Sequence, residues 1–162
     1  MTHADHGEGV ARVRPDVTRL ALDATRHCLT GCAIGEVVGL LVSGAIGLTT
    51  EASVVAGIVL AFVFGYSLTF VPLLRGGMAV RRAAGITLAG DTISIVVMEA
   101  VDNLIVLLVP GAMAAGLDDP LFWGSLAVGL VIAFAAAFPV NSWLIARGRG
   151  HALAHGAHGA RG

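Results

Sequence analysis

The stretch Thr87–Pro110, TLAGDTISIVVMEAVDNLIVLLVP, constrains this chain more than any other. It is long and apolar enough to cross a bilayer, which takes about 20 residues at ~1.5 Å rise each. Yet it carries Asp91, Glu99 and Asp102. A carboxylate at the centre of a membrane helix costs roughly 2.5–3.5 kcal/mol even on insertion scales, so such groups face protein or water rather than lipid. At about 100° per residue, Asp91, Met98 and Asp102 fall within roughly 40° of one another, and Glu99 lies about 60° from Asp102. One stripe of one helix therefore carries all three acids.

The rest of the chain supplies neighbours for that stripe rather than a separate soluble domain. Hydrophobic residues make up 56% and charged residues 13%, against about 25% charged in a typical soluble domain. Four apolar segments stand at about 26–48, 52–74, 85–109 and 121–146. They predict an all-α, polytopic membrane protein, an up-down bundle of four transmembrane helices. Residues 1–25 read as a tail and a juxtamembrane helix that opens at Pro15, a favoured first helical residue. Residues 147–162 read as a His-rich tail. No apolar core of a cleaved signal precedes the first span, which is expected to direct insertion itself.

Charge sets the expected orientation. All 10 basic residues are arginines. They stand before the first segment (Arg12, Arg14, Arg19, Arg26), between the second and third (Arg75, Arg81, Arg82), and after the fourth (Arg147, Arg149, Arg161). The other two connections hold only Glu51, Asp118 and Asp119. The positive-inside rule then places both termini in the cytoplasm, and the expected home is a bacterial cytoplasmic (inner) membrane. The arginines face the lipid surface, and nucleic acid is not implied as a partner.

The first segment, HCLTGCAIGEVVGLLVSGAIG, contains two ladders of period four. Gly31, Gly35, Gly39, Ser43 and Gly47 form a small-residue face of the kind that lets helices approach closely, which predicts packing, including a homo-oligomer. Cys28, Cys32 and Glu36 point together and would suit a borderline-soft cation such as copper or zinc, with His27 near the mouth. Cysteine is also an ordinary buried residue of apolar helices, so the ladder carries both readings. Glu36 lies about ten residues, ~15 Å, inside the segment. Because the first and third segments run the same way, Glu36 and Glu99 are expected at similar depth, with Cys32 and Asp91 both nearer the arginine side. The competing reading is that these acids are protonated and bonded to polar side chains of neighbouring helices.

Tyr66, Ser67 and Thr69 on the second segment are placed to donate to those carboxylates, with Pro72 near its end. Met98 is a soft ligand or packing, and Asn103 and Asn141 add amides to the polar set. Asp118 or Asp119 is expected to cap the last helix ahead of Pro120. Trp123 and Trp143 suit the two membrane interfaces. His3, His6, His151, His155 and His158 suit weak metal capture in the tails, or are simply polar tail residues.

The motifs HCLTGCAIGE, AFVFGYSLTFVPLLR, DTISIVVMEAVDN and DPLFWGSLAVGLVIAFAAAFPVNSWLIARGRGHA, over roughly residues 22 to 155, resemble a bacterial integral membrane family classed as a domain of unknown function, number 4396. The resemblance implies a four-helix membrane protein. It supplies no catalytic residue, and it touches copper handling by association alone. Three functions are then in play. The acids and thiols would bind or transport a transition-metal cation; or the chain is an accessory or assembly subunit of a larger membrane complex; or the acids couple to protons without metal. No GxSxG, HExxH, P-loop or paired CxxC occurs, so an enzyme is not expected.

Overall fold

The computed structural model describes the backbone of residues 8–147 and the side chains of residues 17–147. Four helices make up nearly all of it: α1 (Glu8–Ile46), α2 (Thr50–Arg75), α3 (Val80–Leu108) and α4 (Pro120–Ala146). A single 3-10 turn, Ala112–Ala114, precedes α4, and no strand occurs among the described residues. Three stretches are long and apolar enough to cross a membrane: Val17–Ile46, Thr50–Arg75 and Pro120–Ala146. The chain is thus a membrane-spanning helical protein.

The first helix differs from its expected form. It begins at Glu8 rather than at Pro15 and runs unbroken into the apolar segment as one helix. The reason is phase. Val17, Leu20, Ala21 and Ala24 lie on the same face as Cys28 and Cys32, and they pack on Phe138 and Ile145 of α4. A helix that stays in register with its packing face gains nothing by breaking. Likewise Pro72 and Pro139 lie inside α2 and α4, which continue to Arg75 and Ala146.

Short turns reverse the chain between helices. Gly47 (φ +69°) and Gly77 (φ +83°) supply the left-handed conformations that the α1–α2 and α2–α3 turns require. Thr49 caps α2 by accepting from the Ala52 amide, and Asp119 caps α4 by accepting from the Leu121 amide at 2.8 Å. Pro120 occupies the first position of α4, where its missing N–H costs nothing.

The small-residue ladder of α1 is consumed inside the chain. A Cβ at Gly31 would stand 2.5 Å from the Gly65 Cα, one at Gly39 would stand 2.6 Å from the Gly57 Cα, and one at Gly35 would overlap the Ala61 backbone. The partners Gly57, Ala61 and Gly65 form a matching ladder of period four on α2. Close approach without side chains between is what such ladders permit, and here α2 occupies the rungs a second copy would have used. Gly47 belongs to the turn and touches nothing across a helix. A third ladder, Ser125, Gly129, Ala133, Ala137 and Asn141, is buried along α4.

The bundle is apolar outside and polar within. Ile34, Leu41, Val55, Val59, Leu88, Val96, Leu107, Val128 and Val131 are exposed, while Thr25, Ser43, Asp91, Ser94, Glu99, Asp102 and Asn141 are buried. A water-soluble bundle has the opposite arrangement. Trp123 and Trp143, both exposed, stand at opposite ends of α4. Their separation in sequence amounts to about 30 Å of helix, the thickness of a hydrocarbon core.

Candidate functional site: a buried seam of acids and thiols

The polar groups of the interior lie at successive levels between α1 and α3. Toward the arginine end, Asn141 of α4 donates to the Thr25 hydroxyl at 2.8 Å and to the Ser94 hydroxyl at 3.0 Å, tying α1, α3 and α4 together. Beside this clamp, the Cys28 thiol points at the Asp91 carboxyl, with Sγ 4.0 Å from Oδ1. Thr69 of α2 also bonds Asp91, and His27, at the mouth, lies within electrostatic reach of it. The His27 ring itself meets the Asp23 carbonyl at 3.0 Å.

Below this level the seam holds three acids and one thiol. Cys32 stands beside Glu99, and Glu36 faces Asp102 with Glu99 nearby. Asp102 is held by α4 from behind: a Cβ at Gly129 would run into its carboxyl. Asp91, Glu99 and Asp102 are 1%, 5% and 4% exposed. All four carboxyl oxygens of Glu99 and Asp102 are buried without a well-formed hydrogen bond among the described residues. Their nearest polar neighbours explain this. A thiol is a weak donor, and a facing carboxyl donates only when it carries a proton. Each arginine whose side chain is described, from Arg19 to Arg147, is exposed, so among the described residues no guanidinium is buried with the acids to balance them.

The stripe predicted on the third segment is therefore real in space: Asp91, Met98, Glu99 and Asp102 all face inward. Cys28 is the thiol that reaches Asp91, while Glu36 lies within reach of both Asp102 and Glu99. Of the donors expected on α2, Thr69 reaches a carboxyl. Tyr66 bonds the Thr92 hydroxyl at 2.9 Å and Ser67 bonds back to the Val63 carbonyl, because their positions on α2 turn them away from the acids. Met98 packs in the core with Cys28, Cys32, Ile95 and Ala133. Asn103 donates to the Glu99 carbonyl at 2.8 Å. His3, His6, His151, His155 and His158 lie outside the described residues. Sequence reasoning passed over Thr25 and Ser94, though each stands three residues from a seam residue, Cys28 and Asp91, on the same face.

The donor set was tested against a transition metal. Zinc takes four N, S or O ligands in a closed structural site and three in a catalytic one. Among the described residues no three His, Cys, Asp or Glu side chains converge in that way. The donors come as the pairs Cys28 with Asp91, Cys32 with Glu99, and Glu36 with Asp102.

No curated protein and no solved structure matched the chain. One family model does match, over residues 19–150, a range that takes in α1 from Arg19 onward, the other three helices and the whole seam. On that match the chain belongs to the family described as a domain of unknown function (DUF4396).

Proposed function

We propose that this protein passes a small cation through the membrane along the acid and thiol seam. The observation that carries the reading is the facing of Glu36, half-buried, and Asp102, buried, with Glu99 nearby, on two helices and with each described arginine side chain exposed. Two carboxyls that face each other away from water are tolerated when a proton or a cation lies between them. The proton is the cargo that pairs of donors fit best, because each transfer needs one donor and one acceptor and no coordination shell. The alternation of thiol and carboxyl at Cys28–Asp91 and Cys32–Glu99 favours a second cargo, a soft transition-metal ion such as copper or zinc, moving between two-donor positions.

The reading includes a fourth membrane span and an orientation. Helix α3 is too rich in charge to count as a span by composition, yet Leu88, Ile93, Val96, Leu104 and Leu107 line its outer face. Its acids are hidden, so lipid meets only apolar surface, and α3 crosses with the other three. With the arginines gathered at one end, both termini lie in the cytoplasm, and the setting is the cytoplasmic membrane of a bacterium.

Elemental analysis and infrared spectroscopy of the untagged, detergent-purified protein test the cargo. Under the proton reading, the wild type shows a protonated carboxylic acid band that Asp102→Asn removes, and it binds no metal. Stoichiometric zinc or copper that disappears in the Cys28→Ser, Cys32→Ser protein selects the metal. Fully ionised acids with no bound cation contradict both.

A further inference from the structure

A cavity of about 280 Å³ opens between the tips of the helices and reaches inward to Glu36. Its outer wall includes Thr50, Ser53 and the segment from Ala112 to Gly116; Asn103 and Gly57 stand near its floor. The mouth is at the end of the bundle opposite the arginines. The lining residues of α1 run from Gly44 to Glu36, eight residues, so the cavity extends roughly 12 Å along the helix axis. The only charged groups of the described residues at that end are Glu51, Asp118 and Asp119.

A hydroxyl on the wall points to a ligand. Ser43 borders the cavity between its mouth and Glu36, is 1% exposed, and its Oγ has no hydrogen-bond partner among the described residues. Other helical hydroxyls here, those of Thr25, Ser53, Ser67 and Ser142 among them, bond back to the carbonyl four residues earlier. Thr87 shares the lack of a partner, but it does not border the cavity. A buried hydroxyl left without a partner is destabilising, a cost that a bound water or cation offsets.

We propose that the cavity is a cation vestibule, in which a hydrated cation exchanges part of its water shell for Ser43, Asn103 and the Glu36 carboxyl before reaching Asp102. The proposal rests on the reading of the seam as a cation path, and it adds the side of access and the residues met first. Oxygen donors and an acidic rim suit a cation that still carries water at this end, whereas the thiols stand beyond Glu36.

Thiol labelling in sealed membrane vesicles tests it. In the Cys28→Ser, Cys32→Ser background, Ser53→Cys and, separately, Asn103→Cys are exposed to membrane-impermeant methanethiosulfonates, one carrying trimethylammonium and one carrying sulfonate. The expected result is modification from the face opposite the arginines, about fivefold or more faster for the cationic reagent, in line with electrostatic focusing in an acidic cleft. Adding Glu36→Gln should bring the two rates together. Equal rates, a preference unaffected by Glu36→Gln, or labelling only from the arginine face would overturn the proposal. The measurement needs no transport, so a charge-selective vestibule in a protein that moves no cation would defeat the functional reading alone. Transport without charge-selective labelling would defeat the vestibule alone.

Discussion

Asn141 shows how much one side chain of the interior holds. Its amide joins Thr25 and Ser94 across three helices, and interhelical hydrogen bonds in membranes average about 0.6 kcal/mol with a maximum near 1.7. Asn141→Leu is expected to destabilise the bundle by about 1–2 kcal/mol in a detergent unfolding titration, since two such bonds are lost. A change indistinguishable from zero would mean that the amide does not clamp the helices. Gly129 makes a different prediction. An added methyl meets the Asp102 carboxyl rather than backbone, so Gly129→Ala should impair cation passage more than it lowers stability; loss of the folded protein with no selective functional effect would contradict this. The acids of α3 were legible in the sequence because charge in an apolar helix is conspicuous. Thr25 and Ser94 were not, because a lone hydroxyl in a membrane helix ordinarily bonds back to its own backbone, and only the position of Asn141 on another helix gives these two a further role.

Helix pairing extends the argument to the elements. The α1–α2 contact depends on backbones meeting where side chains would not fit, and Gly35 is its centre. Gly35→Leu should separate the two helices and cost at least the ~1–3 kcal/mol usual for overpacking, since backbone rather than a side chain must move. Gly44, whose added Cβ would meet nothing within 4 Å, serves as the control: Gly44→Ala should be neutral or stabilising by up to ~1 kcal/mol. Thermal denaturation of both variants in detergent decides the matter, and similar losses for both would remove the ladder's special role. The glycine ladder of α1 announced close packing from sequence alone, but not the identity of its partner. Gly57, Ala61 and Gly65 repeat the same spacing on α2, yet a helix with charge only at its two ends reads as scaffold until its neighbour is known. The start of α1 was misplaced for a related reason: Pro15 resembles a helix beginning, while the continuity of Val17 to Cys32 along one packing face matters more to the fold.

At the scale of the whole molecule, the distribution of polarity explains both the fold and its proposed use. Large apolar side chains turn outward, the acids turn inward, and the arginines gather at one end. The membrane character and the helix order could be read from composition and from the spacing of apolar segments. The levels of the seam could not, because they depend on how far α1 slides along α3, which no single helix specifies. If both ends of the chain lie on the arginine side, a cysteine introduced at Asp118 in a cysteine-free background should react with an impermeant reagent from the opposite face to one introduced at Arg81. Reaction of both from the same face would contradict a four-span topology. The central claim is that Glu36 and Asp102 carry a cation between the two faces. The most direct test is cation flux into liposomes containing the purified protein, with interior dyes sensitive to protons and to zinc or copper. The account predicts flux for the wild type, reduced at least about tenfold, the equivalent of about 1.4 kcal/mol on the barrier, in both Glu36→Gln and Asp102→Asn at equal protein content. Flux unchanged in both variants, or none in the wild type for any of these cations, would contradict it.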